Sequence, residues 1–162
     1  MDKRAAVTNE PIGVQDPRRF CEILRKNLIP IAVWHRDGRI RDANDAYFKM
    51  VGYSRDELRQ GEVRCDRITA PEHLHRDEYA INELVSGRKV CAVFEKDYVC
   101  RNRGRVPVLL GGVLVPGRCD QGIAFVLDLA KPISARNAVQ AQRDVIQQLC
   151  ASVVGEERAP DI

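Results

Sequence analysis

The amino-acid sequence predicts an α+β fold: a five-stranded antiparallel sheet with helices on one face, an N-terminal amphipathic helix and a C-terminal coiled-coil helix. An Asp-Gly turn joins two short β-like segments, and this is a strong hairpin signal because glycine adopts positive φ without steric cost. Three longer β-like segments follow later, and the short turns between them require antiparallel pairing. Helix-capping patterns occupy the chain between these two groups of strands.

Composition limits the class of protein. The chain has 162 residues, of which 44% are hydrophobic and 30% charged, as in one folded domain with attachments. No apolar run approaches the ~20 residues that cross a bilayer, and the first residues lack the apolar segment of a signal peptide. A net charge of +3 from interspersed residues does not favour nucleic acid. We therefore expect a cytoplasmic protein without membrane insertion or a nucleic-acid partner.

The first half of the chain is predicted to hold a tail, a flanking helix and a hairpin. Residues 1–15 show no periodicity and are predicted to be a flexible tail. Asp16 and a proline at the first helical position begin a helix over residues 16–29, which Pro30 ends. The predicted domain, residues 30–130, opens with the hairpin of residues 31–43.

Helix signals follow the hairpin. Asn44 can cap a short helix that Gly52 closes, and Ser54 begins a capping-box pattern. The same pattern recurs from Thr69 before a longer helix, which ends near Gly87.

The predicted long strands cover Lys89–Cys100, Val106–Val115 and Gly122–Leu129. Gly111 and Gly112 lie inside the second of them, where glycine normally weakens pairing. They indicate either a bulge or close approach of a ligand, or else a bend over a filled core.

The last helix is predicted over residues 131–154, followed by a tail over 155–162. Apolar residues recur seven apart, which is typical of a short parallel coiled coil, and the alternative is an amphipathic helix packed on its own domain. We expect a homodimer. The residues predicted to form its interface are Leu24, Trp34, Val139, Ile146, Leu149 and Val153.

Five segments together resemble the PAS domain family. Asp37–Ile40, Ala43–Ala46 and Val51–Leu58 are similar to its opening hairpin and first helices. Arg101–Val108 resembles its "R-K-D-G" turn and following strand, and Gly122–Leu129 resembles its last strand.

The resemblance covers about residues 27–130 and implies a sensor. In this family a small molecule, cofactor or partner acts on a cavity between sheet and helices, and the signal leaves through flanking helices. The last strand often ends in Asp-x-Thr, which ties the sheet to the exit helix. Here Asp128 is present as the signal-coupling residue, whereas Ala130 replaces the threonine. The missing hydroxyl removes a hydrogen bond worth ~1 kcal/mol, so we expect the exit helix either to be coupled more loosely to the sheet or to start later.

The resemblance also implies a binding cavity, whose default occupant is a small apolar ligand or none. Haem is a further possibility, with His75 as the candidate iron ligand. Flavin is disfavoured: Cys65 lies near the reactive cysteine of light-sensing members, but the polar partners of a flavin are missing. The residues predicted to contact a ligand are Tyr47, Val51, Ile68, His75, Tyr79, Leu84, Leu110 and Phe125.

No catalytic or protein-held metal site is predicted. The six cysteines include no C-x-x-C pair, and they are interpreted as free thiols. The sequence also lacks a nucleophile turn and a glycine-rich phosphate loop.

Three functions remain. The first is a non-enzymatic sensory and dimerisation module of a signal-transduction system, such as a two-component sensor kinase or a cyclic-nucleotide enzyme, with its output domain in cis or trans. The second is a ligand-free scaffold for protein–protein interaction and dimerisation. The third is a haem-based gas or redox sensor.

Overall fold

The computed structural model describes residues 29–130 and, further along the chain, Arg143, Ile146, Gln147, Cys150, Ala151 and Val154. The predicted α+β fold is confirmed: a five-stranded antiparallel sheet carries helices on one face. Both tails and most of the N-terminal flanking helix lie outside the described residues. The predicted domain boundaries therefore stay predictions.

The sheet has the strand order β2-β1-β5-β4-β3, and every neighbouring pair is antiparallel. The N-terminal hairpin joins the three later strands through β1, which pairs with β5. Strand β3 therefore lies at one edge. The strands are β1 Ile31–His35, β2 Ile40–Ala43, β3 Cys91–Cys100, β4 Gly104–Leu114 and β5 Gln121–Asp128.

The helices connect β2 to β3 across the inner face of the sheet. The Asn44 side chain caps the first of them and also accepts a hydrogen bond from the Ile31 amide at 3.0 Å, which ties the helix to β1. The helices are α1 Asp45–Val51, α2 Arg55–Arg59, α3 Cys65–Ile68, a 3₁₀ turn Pro71–His73, and α4 Leu74–Val85.

One of the two predicted capping boxes is present. Ser54 and Glu57 satisfy each other's backbone amides at the start of α2. The prediction at Thr69 is wrong, because a 3₁₀ turn precedes α4 and neither of these two helices has a side-chain cap. The Thr69 hydroxyl instead bonds to Asp77 and Lys96.

Both faces of the sheet are apolar. The inner face packs under the helices, and alternation along the strands places Ile31, Val33 and Phe125 on the outer face. There the helical residues Ile146 and Cys150 cover them, both almost completely buried. The prediction placed helices on one face, and the structure adds these C-terminal residues on the other.

The two glycines of β4 have different surroundings. The ladder between β3 and β4 runs through both without a register shift, so neither marks a bulge. A Cβ added to Gly111 would lie 2.1 Å from Cγ2 of Ile146, whereas one at Gly112 would meet ordinary contacts on the inner face. The close approach at Gly111 is therefore made by the C-terminal residues, on the outer face.

Candidate functional site

A small cavity lies between the inner face of the sheet and α4. Its volume is about 70 Å³, enough for several waters or a ligand of a few heavy atoms. Pockets for drug-sized molecules are about 300–1,000 Å³. Its apolar wall is made by Ala32, Trp34, Ile40, Ala80, Ile81, Leu84, Ala92, Phe94, Leu110 and Ala124.

A buried polar group interrupts this apolar wall. Lys96, only 4% exposed, lies on the cavity side of β3. Its Nζ is 2.5 Å from Oδ1 of Asp77 on α4 and donates to Oγ1 of Thr69 at 2.8 Å. The Thr69 hydroxyl donates in turn to Oδ2 of Asp77 at 2.8 Å. The three side chains therefore form a closed, charge-neutral hydrogen-bonded group, referred to below as the Lys96 triad.

Local structure explains how these three residues meet. Strand alternation points Lys96 inward together with its neighbours at i ± 2, Phe94 and Tyr98. Thr69 forms an isolated β-bridge with Tyr98, which holds it beside the same strand. Asp77 lies in the first turn of α4, where the helix dipole favours a negative charge.

Aromatic rings surround the ammonium group. Nζ of Lys96 lies 5.1 Å from the ring centroid of Tyr98 and 5.8 Å from that of Phe94, within cation–π range. Tyr98 and Tyr47 belong to the same inner cluster, and burial raises the pKa of both phenols. Both tyrosines stay protonated, so they contribute hydrogen-bonding groups rather than charge.

Cys65 also lines the cavity, and loss of solvent around its sulfur raises the pKa of the thiol to about 12. Because nucleophilic cysteine chemistry requires the thiolate, this site disfavours a reactive cysteine.

The structure places the predicted ligand-contacting residues in three locations. Tyr47, Leu84 and Leu110 line the cavity. Val51 and Ile68 are buried in the same inner cluster but do not form its wall. Phe125 does not line the cavity. Its neighbour Ala124 takes the inner position, which leaves Phe125 on the outer face.

His75 and Tyr79 line a separate hollow of about 310 Å³ between α4 and β3. Both are exposed residues, and neither lines the internal cavity. The residues present do not fit a haem in the internal cavity, since that space is about 70 Å³ and His75 does not line it. Within the described part of the chain, no cluster of three or more His, Cys, Asp or Glu residues is placed to hold a metal ion.

The predicted dimer residues are only partly described. Trp34 lies in the cavity wall at 6% exposure, packed over Gly122, so it is a core residue rather than a surface contact. Ile146 is fully buried against the sheet of its own chain, as in the alternative of a helix packed on its domain. Leu24, Val139, Leu149 and Val153 lie outside the described residues. Homodimerisation stays a prediction.

Asp128 lies at the end of β5, where the predicted exit helix follows. Its Oδ2 is 2.6 Å from Nη1 of Arg103, and its Oδ1 accepts a hydrogen bond from the backbone amide of Ala130 at 2.9 Å. The aspartate thus holds the first residues after the sheet through the backbone, where a threonine hydroxyl is absent. Its predicted coupling function stays a prediction.

The sequence prediction missed the Lys96 triad. Lys96 follows the alternating apolar positions of β3 and precedes Tyr98, which could have marked it as an inward charge. Its partners are 19 and 27 residues away in sequence, so no local motif identifies them.

Comparison with known proteins identifies the family. A model of the PAS domain family matches residues 18–85. The hybrid signal transduction protein dokA of Dictyostelium discoideum is 32% identical over 76% of this chain, and the probable diguanylate cyclase DgcE of Escherichia coli is 25% identical over 80%. The chain spans 7% and 12% of the lengths of these two relatives.

Solved structures agree on the fold. The PAS domain of a protein from Colwellia psychrerythraea is similar with a TM-score of 0.61 and 14% identity, covering 71% of this chain and 98% of that one. No helix in the described part of the chain is long and apolar enough to span a membrane. Residues 18–85 therefore match the PAS domain family, and the fold of the described residues is that of a PAS domain.

Proposed function

We propose that this PAS domain is a sensory module of a signal-transduction protein and that it binds a small, mainly apolar ligand in the internal cavity. The observation that carries the proposal is the pair Lys96 and Asp77, two members of the Lys96 triad, in a mainly apolar cavity wall. Sensing requires binding and a structural response but no chemistry, and the proposal assigns no reaction to the domain.

The triad is costly if it serves only stability. Burying two charges loses their hydration, and well-packed apolar residues of similar volume often stabilise a core as well or better. A lysine ammonium has three N–H donors, and in the described part of the chain Thr69 and Asp77 accept two hydrogen bonds from it. A ligand with one hydrogen-bond acceptor on a small apolar body therefore matches the cavity in both size and polarity.

The relatives support the signalling context. One is named a hybrid signal transduction protein and the other a probable diguanylate cyclase. Because the chain spans only a small part of each, we propose that the output activity belongs to another domain, in cis or in trans. Signal transfer would use the segments on either side of the described PAS core.

The test uses three probes that fit the cavity: 2-propanol and acetone, which carry an acceptor, and propane, which does not. Binding to the full chain is followed by amide chemical shifts in NMR titrations. We expect saturable shifts at β3 and α4 with the two polar probes and weaker binding of propane. Lys96→Met should abolish this preference, whereas Lys89→Met, on the exposed rim of the other hollow, should leave it unchanged.

A denatured extract of freshly purified protein provides a second test, in which mass spectrometry should find a co-purified small molecule. If the extract is empty and none of the three probes binds saturably, the ligand-sensing proposal is wrong. The ligand-free interaction scaffold would then be the better interpretation.

A further inference from the structure

Two cysteines from distant parts of the chain meet on the outer face of the sheet. Cys91 is the first residue of β3, and Cys150 belongs to the C-terminal helical residues. The sulfur of Cys150 lies beside Gly111, which is two residues along β4 from Val113, the ladder partner of Cys91. Cys150 is 1% exposed within the outer cluster, whereas Cys91 packs against the same cluster and is partly open to solvent.

Two further contacts show that the C-terminal helical residues lie along β3 in a regular order. Arg143 forms an ion pair with Glu95 at 3.3 Å. Ile146 packs on Gly111, whose partner across the ladder is Val93. From Arg143 to Ile146 to Cys150, the positions contacted on β3 move from Glu95 to Val93 to Cys91. The described C-terminal helical residues therefore run antiparallel to β3.

We propose that Cys91 and Cys150 are a redox-sensitive pair that forms an intramolecular disulfide on exposure to a hydroperoxide, locking the C-terminal helical residues against the sheet. The bond would join the edge strand of the sensor core to the segment that leaves it. This input is spatially separate from the internal cavity, because both cysteines belong to the outer face of the sheet.

The chemistry follows from the different surroundings of the two thiols. The neighbouring Cys150 thiol lowers the pKa of the Cys91 thiol, which favours the Cys91 thiolate. The Cys91 thiolate attacks one peroxide oxygen, the O–O bond breaks, and a sulfenic acid forms as the other oxygen leaves as water or an alcohol. The Cys150 sulfur then gives up its proton and attacks the sulfenic sulfur. The S–S bond forms, the S–O bond breaks and water leaves, so the peroxide is reduced while two thiols are oxidised.

The test treats the reduced full chain with one equivalent of hydrogen peroxide. Peptide mapping by mass spectrometry without reductant should find Cys91 joined to Cys150, and the count of free thiols should fall from six to four. Hydrogen exchange should slow in the C-terminal segment after oxidation and recover after reduction. Each change should be absent in Cys91→Ser and in Cys150→Ser.

The matched control is Cys119→Ser, which removes an exposed cysteine of the turn between β4 and β5 and should leave the cross-link intact. Because Cys150 is buried, Cys150→Ala serves as a second variant if the serine disturbs packing. The proposal is overturned if peroxide joins other cysteines or separate chains instead. It is also overturned if the cross-link forms but hydrogen exchange in the C-terminal segment does not change.

Discussion

At the scale of single residues, Lys96 has the most unusual surroundings in the described part of the chain. Its ammonium is enclosed by the ring of Tyr98, the ring of Phe94, a carboxylate and a hydroxyl, with 3% of its side chain exposed. Asp77, its partner, keeps 17% exposure. Removing one member of such a pair leaves the other charge without compensation, which costs more than the pair itself contributes.

Lys96→Met should therefore lower the free energy of unfolding by about 3 kcal/mol, the lower end of the range for broken buried pairs, because Asp77 retains some contact with water. Urea denaturation measures this loss. Lys89→Met, at an exposed position, should change stability by less than about 0.5 kcal/mol.

The double variant Lys96→Met with Asp77→Leu tests whether the two side chains act as a pair. Because it removes both charges, its loss should be smaller than the sum of the two single losses. Additive losses would mean that the ion pair contributes no coupling, and the triad would then be three independent side chains.

At the scale of elements, predictions based on local signals succeeded and those requiring distant partners did not. The Asp37–Gly38 turn, the Asn44 cap and the Ser54 capping box depend on neighbours within a few residues, and all three are present. Thr69 has a capping pattern too, but its hydroxyl is bound by groups 8 and 27 residues away. Phe125 was misplaced because a wholly apolar strand carries no alternation from which the inner face can be read.

Substitution of Gly111, in the middle of β4, tests how the C-terminal helical residues pack on the sheet. In Gly111→Ala the new methyl group would lie 2.1 Å from Cγ2 of Ile146, so the helical residues must move away from the outer face. We expect faster hydrogen exchange in the C-terminal segment, while exchange in β3 and β5 changes little.

Gly112→Ala is the matched control, because its methyl group would meet nothing closer than 3.8 Å, at Cδ1 of Leu84. Combining Gly111→Ala with Ile146→Ala should restore slow exchange in part, since the second change removes the clashing methyl. If Gly111→Ala behaves like Gly112→Ala, the contact between Ile146 and the sheet is not the one described.

At the scale of the whole molecule, β3 is the element on which both proposed inputs converge. Its inner face carries Lys96 in the cavity wall, and its outer face carries Cys91 and Glu95 against the C-terminal residues. As an edge strand it pairs on one side only, with β4, and is less restrained than the central strands. If a ligand bound on the inner face shifts β3, the packing of the C-terminal helical residues on the outer face would therefore change as well.

The final prediction concerns whether Ile146 packs on the sheet of its own chain or in the interface of a coiled-coil dimer. Ile146 is fully buried against its own sheet, so it cannot also fill the heptad seam predicted from the sequence. Ile146→Asp places a charge on that apolar face, and we expect faster hydrogen exchange in the C-terminal segment with no change in the mass measured by light scattering. Gln147→Asp, at the exposed neighbouring position, should change neither property. A fall in mass from dimer to monomer in Ile146→Asp alone would show that Ile146 serves the coiled coil in solution, and that the outer face of the sheet is then open to another partner.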